Sequence, residues 1–343
     1  MNTLLLALAL MAPSDPEPHL ANIRQLTFGG DNAEAYFSFD GTHLAMQSNN
    51  PAWGLKCDQI FNVDIKEAAG KPAYRPTMVS TGQGRTTCSF YLPDNKHILY
   101  ASTHEGDGDC PPQPAPRTDG KYLWPIYPTY DIYVATTDGK IVSKLTDRPG
   151  YDAEAVVSPT GDKIVYTSDA SGDLELWTMN LDGTDKRQIT FELGYDGGAF
   201  FSPDGTQLVF RSSRPRTPEE QAEYKELLAQ GLVAPTNMEI YVCNVDGSNL
   251  RQVTNHGKAN WAPYFHPSGQ KIIFSSNHHS PRGYDFQLFM INVDGTGLER
   301  VTNLSAFNAF AMFSPDGTKL VFSSNRNNNG TRDTNVFIAD WVE

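Results

Sequence analysis

Two recurring positions hold most of the side chains able to act on a ligand. The first set is Glu34, Cys88, Glu154, Gly198, Ala262 and Phe310, carboxylates to one side and apolar groups to the other. The second is Asn50, His104, Ala170, Arg214, His278 and Arg326, with Arg211 and His279 close by in sequence. Guanidinium forks match carboxylates, so His and Arg gathered at one place would hold an anionic group or a peptide C-terminus. The same arginines could instead pair with neighbouring Asp or Glu and hold the scaffold. A third set, Asn32, Thr86, Asp152, Asp196, Asn260 and Asn308, stands two places before the first. Short polar side chains there either bond nearby backbone amides to start a strand or rim a mildly acidic channel mouth. The chain contains no Gly-x-Ser-x-Gly sequence, the turn that presents a serine nucleophile in hydrolases.

These sets exist because the chain repeats itself. Phe201-Ser202-Pro203-Asp204-Gly205-Thr206-Gln207-Leu208-Val209-Phe210 returns as Phe313 to Phe322, with looser copies at 37–46, 91–100, 157–166 and 265–274. Each is an apolar run, a turn with Asp-Gly, Ser-Gly or a relative at its tip, and a second apolar run, which is a β-hairpin. The turn residues Asp40, Asp94, Thr160, Asp204, Ser268 and Asp316 lie 54, 66, 44, 64 and 48 residues apart. A base period in the mid-forties with two long insertions is the four-strand blade of a β-propeller. Third strands follow at 174–179, 240–243, 288–291 and 336–339, and fourth strands end in pairs such as Ile189-Thr190 and Val301-Thr302. Gln25-Leu26-Thr27 is a fourth strand without a blade, and Asn335 to Trp341 a third strand after which the sequence stops. The expectation is an all-β, six-bladed propeller of four-stranded antiparallel blades, its last blade completed by the N-terminal strand, which hides an edge. In that architecture the starts of the innermost strands and the loops between second and third strands share one face, so the sets above meet at the mouth of a central funnel.

Composition narrows the functional classes. The chain has 343 residues and a formal charge of -13, which argues against nucleic acid as a partner. No apolar run approaches the roughly 20 residues of a membrane span. Leu4 to Met11 is a short apolar run that reads as an export signal, so residues 1–19 are expected to be signal and tail and 20–343 one propeller. Four cysteines in an exported, periplasmic or secreted chain imply at least one disulfide. Cys57, Cys88 and Cys110 fall on the funnel face, and Cys88 bonded to Cys57 or to Cys110 is the expectation, with Cys243 a buried thiol.

The insertions crowd the same rim. Blade two carries His104 to Tyr130, with Pro111, Pro112, Pro114, Pro116, Tyr122, Trp124, Tyr127 and Tyr130. It either folds over the funnel to touch ligand or packs its own aromatics as a plug. Within it, the run Glu105 to Asp109 has calcium-loop character without the spacing of an EF-hand. A zinc site from Cys88, Cys110 and His104 lacks a Cys-x-x-Cys pair. Blade four carries a helix: Thr217-Pro218-Glu219-Glu220 is a capping box, Ala222, Leu227 and Leu228 give an apolar side, and Gly231 ends it.

The phrases Phe-Ser-Pro-Asp-Gly, Ser324-Asn325-Arg326 and Val293-Asp294-Gly295-Thr296 resemble the repeats of TolB-like six-bladed propellers, from about Arg24 to the C-terminus. The resemblance implies the fold and, as function, a stand-alone binding module of the cell envelope, since the same blades serve several activities. Glu34, His104, Glu154, Asp196, Arg211, Arg214, His278, His279 and Arg326 are then the expected ligand-binding residues. A monomer holding a peptide or protein segment, or a small anionic ligand, without cofactor or catalysis, is the favoured reading. Some similar propellers use a histidine cluster with a metal. The alternative is therefore a metal-assisted lyase or hydrolase on acidic oligosaccharides, with His104, His278 and His279 as ligands of a divalent ion.

Overall fold

A computed structural model describes residues 17–106, 108–115 and 121–343. The export-signal reading, and Asp107 and Pro116 of the blade-two insertion, lie outside them. Six four-stranded antiparallel sheets form the blades. Their innermost strands are Asp31–Phe37, Thr86–Tyr91, Asp152–Val157, Asp196–Phe201, Asn260–Phe265 and Asn308–Phe313. Blade six takes its outermost strand, Leu20–Gln25, from the start of the chain, paired antiparallel with Asn335–Trp341 in the register Leu20 to Trp341 and Gln25 to Phe337. The seam is reinforced where His19 stacks on Trp341 at 4.9 Å and meets the Val342 carbonyl through Nδ1 at 2.7 Å.

The repeated turn phrase closes on itself, which is why it recurs. Asp204 Oδ1 accepts from Ser202 Oγ (2.6 Å), the Thr206 amide (3.1 Å) and Thr206 Oγ1 (2.8 Å). Gly205 follows at φ 72°, where a Cβ would be strained. Asp316 is held in the same way by Ser314 and Thr318. In both turns these bonds hold the carboxyl below the usual aspartate range.

The third set of polar residues does the local job. Asn32, Thr86, Asp152, Asp196, Asn260 and Asn308 are all buried. Asn260 Nδ2 reaches the Met238 carbonyl (2.8 Å) and Glu239 Oε2 (3.0 Å) of the preceding blade, and Asn308 Nδ2 reaches Gln287 Oε1 at 2.9 Å. They stitch the inner strands to their neighbours, and of the six Thr86 alone also reaches the lining of the upper mouth.

Two places on, every inner strand breaks register with its partner. The six residues there, Glu34, Cys88, Glu154, Gly198, Ala262 and Phe310, have φ between 46° and 59°. One residue in the left-handed region is a bulge that re-aims its side chain, and here all six line a narrow throat on the axis. Below them Tyr36, Phe90, Phe200 and Tyr264 meet across the axis. The ring of Tyr36 in blade one lies 5.2 Å from Phe200 in the opposite blade, with Phe200 to Tyr264 at 5.1 Å. That apolar waist makes the funnel blind. It separates the upper mouth from a lower cavity of about 200 Å³ lined by Phe and Pro of the turn phrases.

Candidate functional site

The upper mouth is roofed by two insertions that clamp each other. Trp124–Pro125 of blade two pairs antiparallel with Leu232–Val233 of blade four, and the Ile126 amide donates to the Gly231 carbonyl at 2.7 Å. An ion pair between Lys121 and Glu223 adds to the clamp. The helix before the blade-four strand spans Pro218–Ala229, starts at the Thr217–Glu220 capping box, and buries Tyr224 and Leu227. The expected apolar side is corrected in one place, since Ala222 is exposed and the Tyr224 ring takes its role. Beneath the roof Ile126, Tyr130, Tyr151, Tyr195, Tyr224, Val233 and Trp261 form an apolar cluster of their own, apart from the blade core. Both readings of the blade-two insertion therefore hold in part, for it packs its aromatics and does so over the funnel.

A disulfide joins Cys57, on the loop after the second strand of blade one, to Cys110 in the insertion. This corrects the expected pairing through Cys88, which is a free, partly buried thiol in the throat. Burial, and next the charge of Glu34, push that thiol well above the ordinary cysteine range, so it stays protonated. Cys243 is the buried thiol expected, pushed up to about 12 by burial.

Roof and throat enclose a cavity of about 360 Å³. One wall is aromatic, where Trp124 lies 5.2 Å from Trp261, with Phe307 and Phe310 below. The other wall is charged. Glu154, nearly buried, accepts from Thr167 Oγ1 (2.7 Å), Tyr195 Oη (2.7 Å) and the Gly198 amide (2.9 Å), and pairs with Arg211. The Arg211 guanidinium also donates to Tyr195 Oη at 2.7 Å and stands 5.1 Å from the Trp124 ring, which ties the roof to the throat. Asp58 pairs with Arg85 in the same lining. Both arginines of the cavity are thus neutralised by a carboxylate. Among the described residues the Cys88 thiol is the side chain that hydrogen-bonds Glu34, Arg211 acts on its charge without an ion-pair contact, and burial raises its carboxyl above the usual glutamate range.

The structure brings Glu34, Glu154 and Arg211 to this cavity and places the other expected residues elsewhere. Asp196 and Arg214 bond each other through two contacts of 2.6 and 2.8 Å inside blade four. Arg326 is forked onto Glu17 at 3.0 and 3.1 Å and bonds Asn308 Oδ1 at 3.0 Å. His104 packs on Tyr133 at 4.6 Å, and His278 on Phe289 at 4.4 Å and His256 at 4.3 Å. His279 stands 5.6 Å from Phe289. In four blades, therefore, the side chain after the second strand covers an aromatic ring of its own third strand: Tyr133, Tyr241, Phe289 or Phe337. Burial, and then the nearby His256 and His279, lower His278 to about 4, so it is neutral at physiological pH. Among the described residues no three His, Cys, Asp or Glu side chains stand close enough to hold a metal ion, and Glu105 of the calcium-like run is taken by Lys144 at 2.7 Å.

Sequence reasoning missed Arg85, Tyr151, Tyr195 and Phe307, which form an upper tier of the funnel. Each stands one place before a strand-starting polar residue, so their signal was the aromatic and charged character of that one recurring position. Asp58 and Trp261 were also missed, and neither the repeat nor the turn chemistry marks them.

Blades, ring closure and blind axis define a six-bladed β-propeller with a roofed cavity at one mouth. The sequence profile of the TolB beta propeller domain matches residues 127–218 and 225–337, well over half of the chain, and the protein belongs to that family. No curated protein matches it. Among solved structures it is similar to a protein of Agrobacterium tumefaciens described as a TolB, at 20% identity and TM-score 0.58 over 92% of this chain and 91% of that one. It is also similar to TolB of Acinetobacter baumannii (18%, TM-score 0.54), over 91% of this chain and 63% of that one. An oligogalacturonate lyase in complex with manganese superposes over 94% of this chain and 93% of its own at 15% identity, TM-score 0.51. Likeness at these identities shows the fold alone.

Proposed function

We propose that this protein is an exported, periplasmic, monomeric propeller that binds a ligand or a segment of a partner protein in the roofed upper mouth and does no chemistry on it. The observation that carries this reading is the cavity of about 360 Å³ at the blind end of the axis. Its size is that of a small-molecule site, and two insertions clamped across the axis serve no evident need of the ring itself. The disulfide supports export, since such bonds persist in oxidising compartments. No helix among the described residues is long and apolar enough to cross a membrane. A metal-assisted lyase or hydrolase on acidic oligosaccharides has less support, because His104 and His278 pack on rings of two different blades and, among the described residues, neither they nor His279 stand in a group of three ligand side chains. Native mass spectrometry of protein purified from its own cell envelope tests the reading. A bound mass that is lost in Trp261→Ala is expected. Ligand-free protein together with release of product from uronate polymers would overturn it.

A further inference from the structure

The charges of the roofed mouth do not balance, and the imbalance has a sign. Among the described residues five Asp, Glu or Arg side chains line it: Glu34, Asp58, Arg85, Glu154 and Arg211. Asp58 pairs with Arg85 and Glu154 with Arg211, so four of the five cancel. Tyr195 and the Gly198 amide complete the Glu154 shell, leaving that carboxylate no need of a ligand. Glu34 has no such shell. Its side-chain partner is the Cys88 thiol, a weak donor, and it stands in the lining with the aromatic wall of Trp124, Trp261 and Phe310. The nearby guanidinium, Arg211, acts on its charge but is paired with Glu154, and a carboxylate with no ion pair of its own in the same lining as electron-rich rings is an arrangement that attracts an organic cation. Among the described lining residues an anionic ligand would meet the opposite: both guanidinium groups paired and one carboxylate without an ion pair of its own.

Resting on the ligand-binding reading above, we infer that the mouth takes a small organic ammonium ion, its charged head on Glu34 and its apolar body against Trp124, Trp261 and Phe310. The binding form of Glu34 is the carboxylate. Because burial lifts its pKa in the free protein, affinity is full well above that pKa and falls as pH is lowered through it. The cavity volume limits the guest to a compact amine, or to the amino end of a peptide.

The test uses the disulfide-intact chain and three probes of matched size: phenethylamine, phenyltrimethylammonium and 3-phenylpropionate. Calorimetric titration with quenching of tryptophan fluorescence should show both cations binding and the anion not. Glu34→Gln should weaken the cations about tenfold or more without lowering the melting temperature, and wild-type affinity should fall as pH is lowered and the Glu34 carboxylate takes up its proton, a fall that Glu34→Gln should abolish. If Glu34→Gln does not fold, Glu34→Asp and the wild-type pH series carry the same comparison. Equal or tighter binding of 3-phenylpropionate, or cation binding indifferent to Glu34 and to pH, overturns the ammonium assignment and leaves the ligand-binding reading standing. No binding of any probe overturns the assignment as well, and the envelope-purified protein then decides the broader reading by itself.

Discussion

The two ends of the propeller axis are built from the same six strands and differ in almost everything else. At the lower end the turn phrases repeat, and Phe, Pro and Ser stand in near-symmetry around a shallow apolar cavity. At the upper end the inner-strand positions read Glu, Cys, Glu, Gly, Ala and Phe, and two insertions from unlike blades cover them. The lower end answers to folding, where each blade needs the same self-closing hairpin. The upper end departs from six-fold sameness, and a ring does not need that departure to close. Two arginines, one on the second strand of blade four and one just past its end, make the contrast local. Arg214 is sealed inside its blade against Asp196, whereas Arg211, three residues earlier, faces the axis and holds the roof through Trp124.

Breaking the shared waist should have the largest effect. Phe200→Ala removes a ring that meets Tyr36, Phe90 and Tyr264, and should cost about 3–5 kcal/mol in denaturant unfolding. Arg211→Ala comes close behind, at about 3–5 kcal/mol, because it strands the buried Glu154. Adding Glu154→Gln should recover part of that loss. A double mutant no better than the single would mean that the guanidinium acts by packing alone. Cys57→Ser sharpens the comparison from above. It opens the link to Cys110 across 53 residues and should cost about 2–4 kcal/mol. Protease cleavage should then appear in the blade-two insertion before the ring is touched. The last test reads a slope with pH. Burial, together with the nearby charges of Asp196 and Asp173, raises Glu175 to about 8. The native state therefore holds a proton that the unfolded chain gives up at lower pH, and stability falls as pH rises from the ordinary glutamate range towards about 8. Glu175→Gln should flatten that slope in thermal melts.

Much of the architecture was legible in the sequence because the turn chemistry is local. Ser-Pro-Asp-Gly-Thr forms its bonds within five residues, so it reads the same in the chain as in the fold. Blade number, ring closure and the throat positions followed from counting along it. Where side chains point after the second strand was not legible. His104, Arg214, His278 and Arg326 stand at the expected place but lie back over the third-strand ring, a contact between residues 11 to 29 positions apart that no spacing rule contains. The disulfide failed for a related reason. Cys88 sits on a bulge that aims it at the axis, out of reach of Cys110, which the insertion carries to Cys57 instead.

The left-handed bulge on each inner strand has a consequence for how such a protein changes over time. Six residues of five types occupy one backbone conformation, from Gly198 with no side chain to Phe310 with a whole ring. The geometry is imposed by the strands around it and admits occupants of very different size, but two of the six are constrained: a Cβ at Gly198 would run into the Arg211 guanidinium, and Glu154 holds that guanidinium. Natural variants can therefore rewrite the throat at Glu34, Cys88, Ala262 or Phe310, exchanging charge for bulk or bulk for emptiness, while the Glu154–Arg211 pair stays in place. New binding preferences are reached here by single substitutions at an address that the scaffold already keeps open.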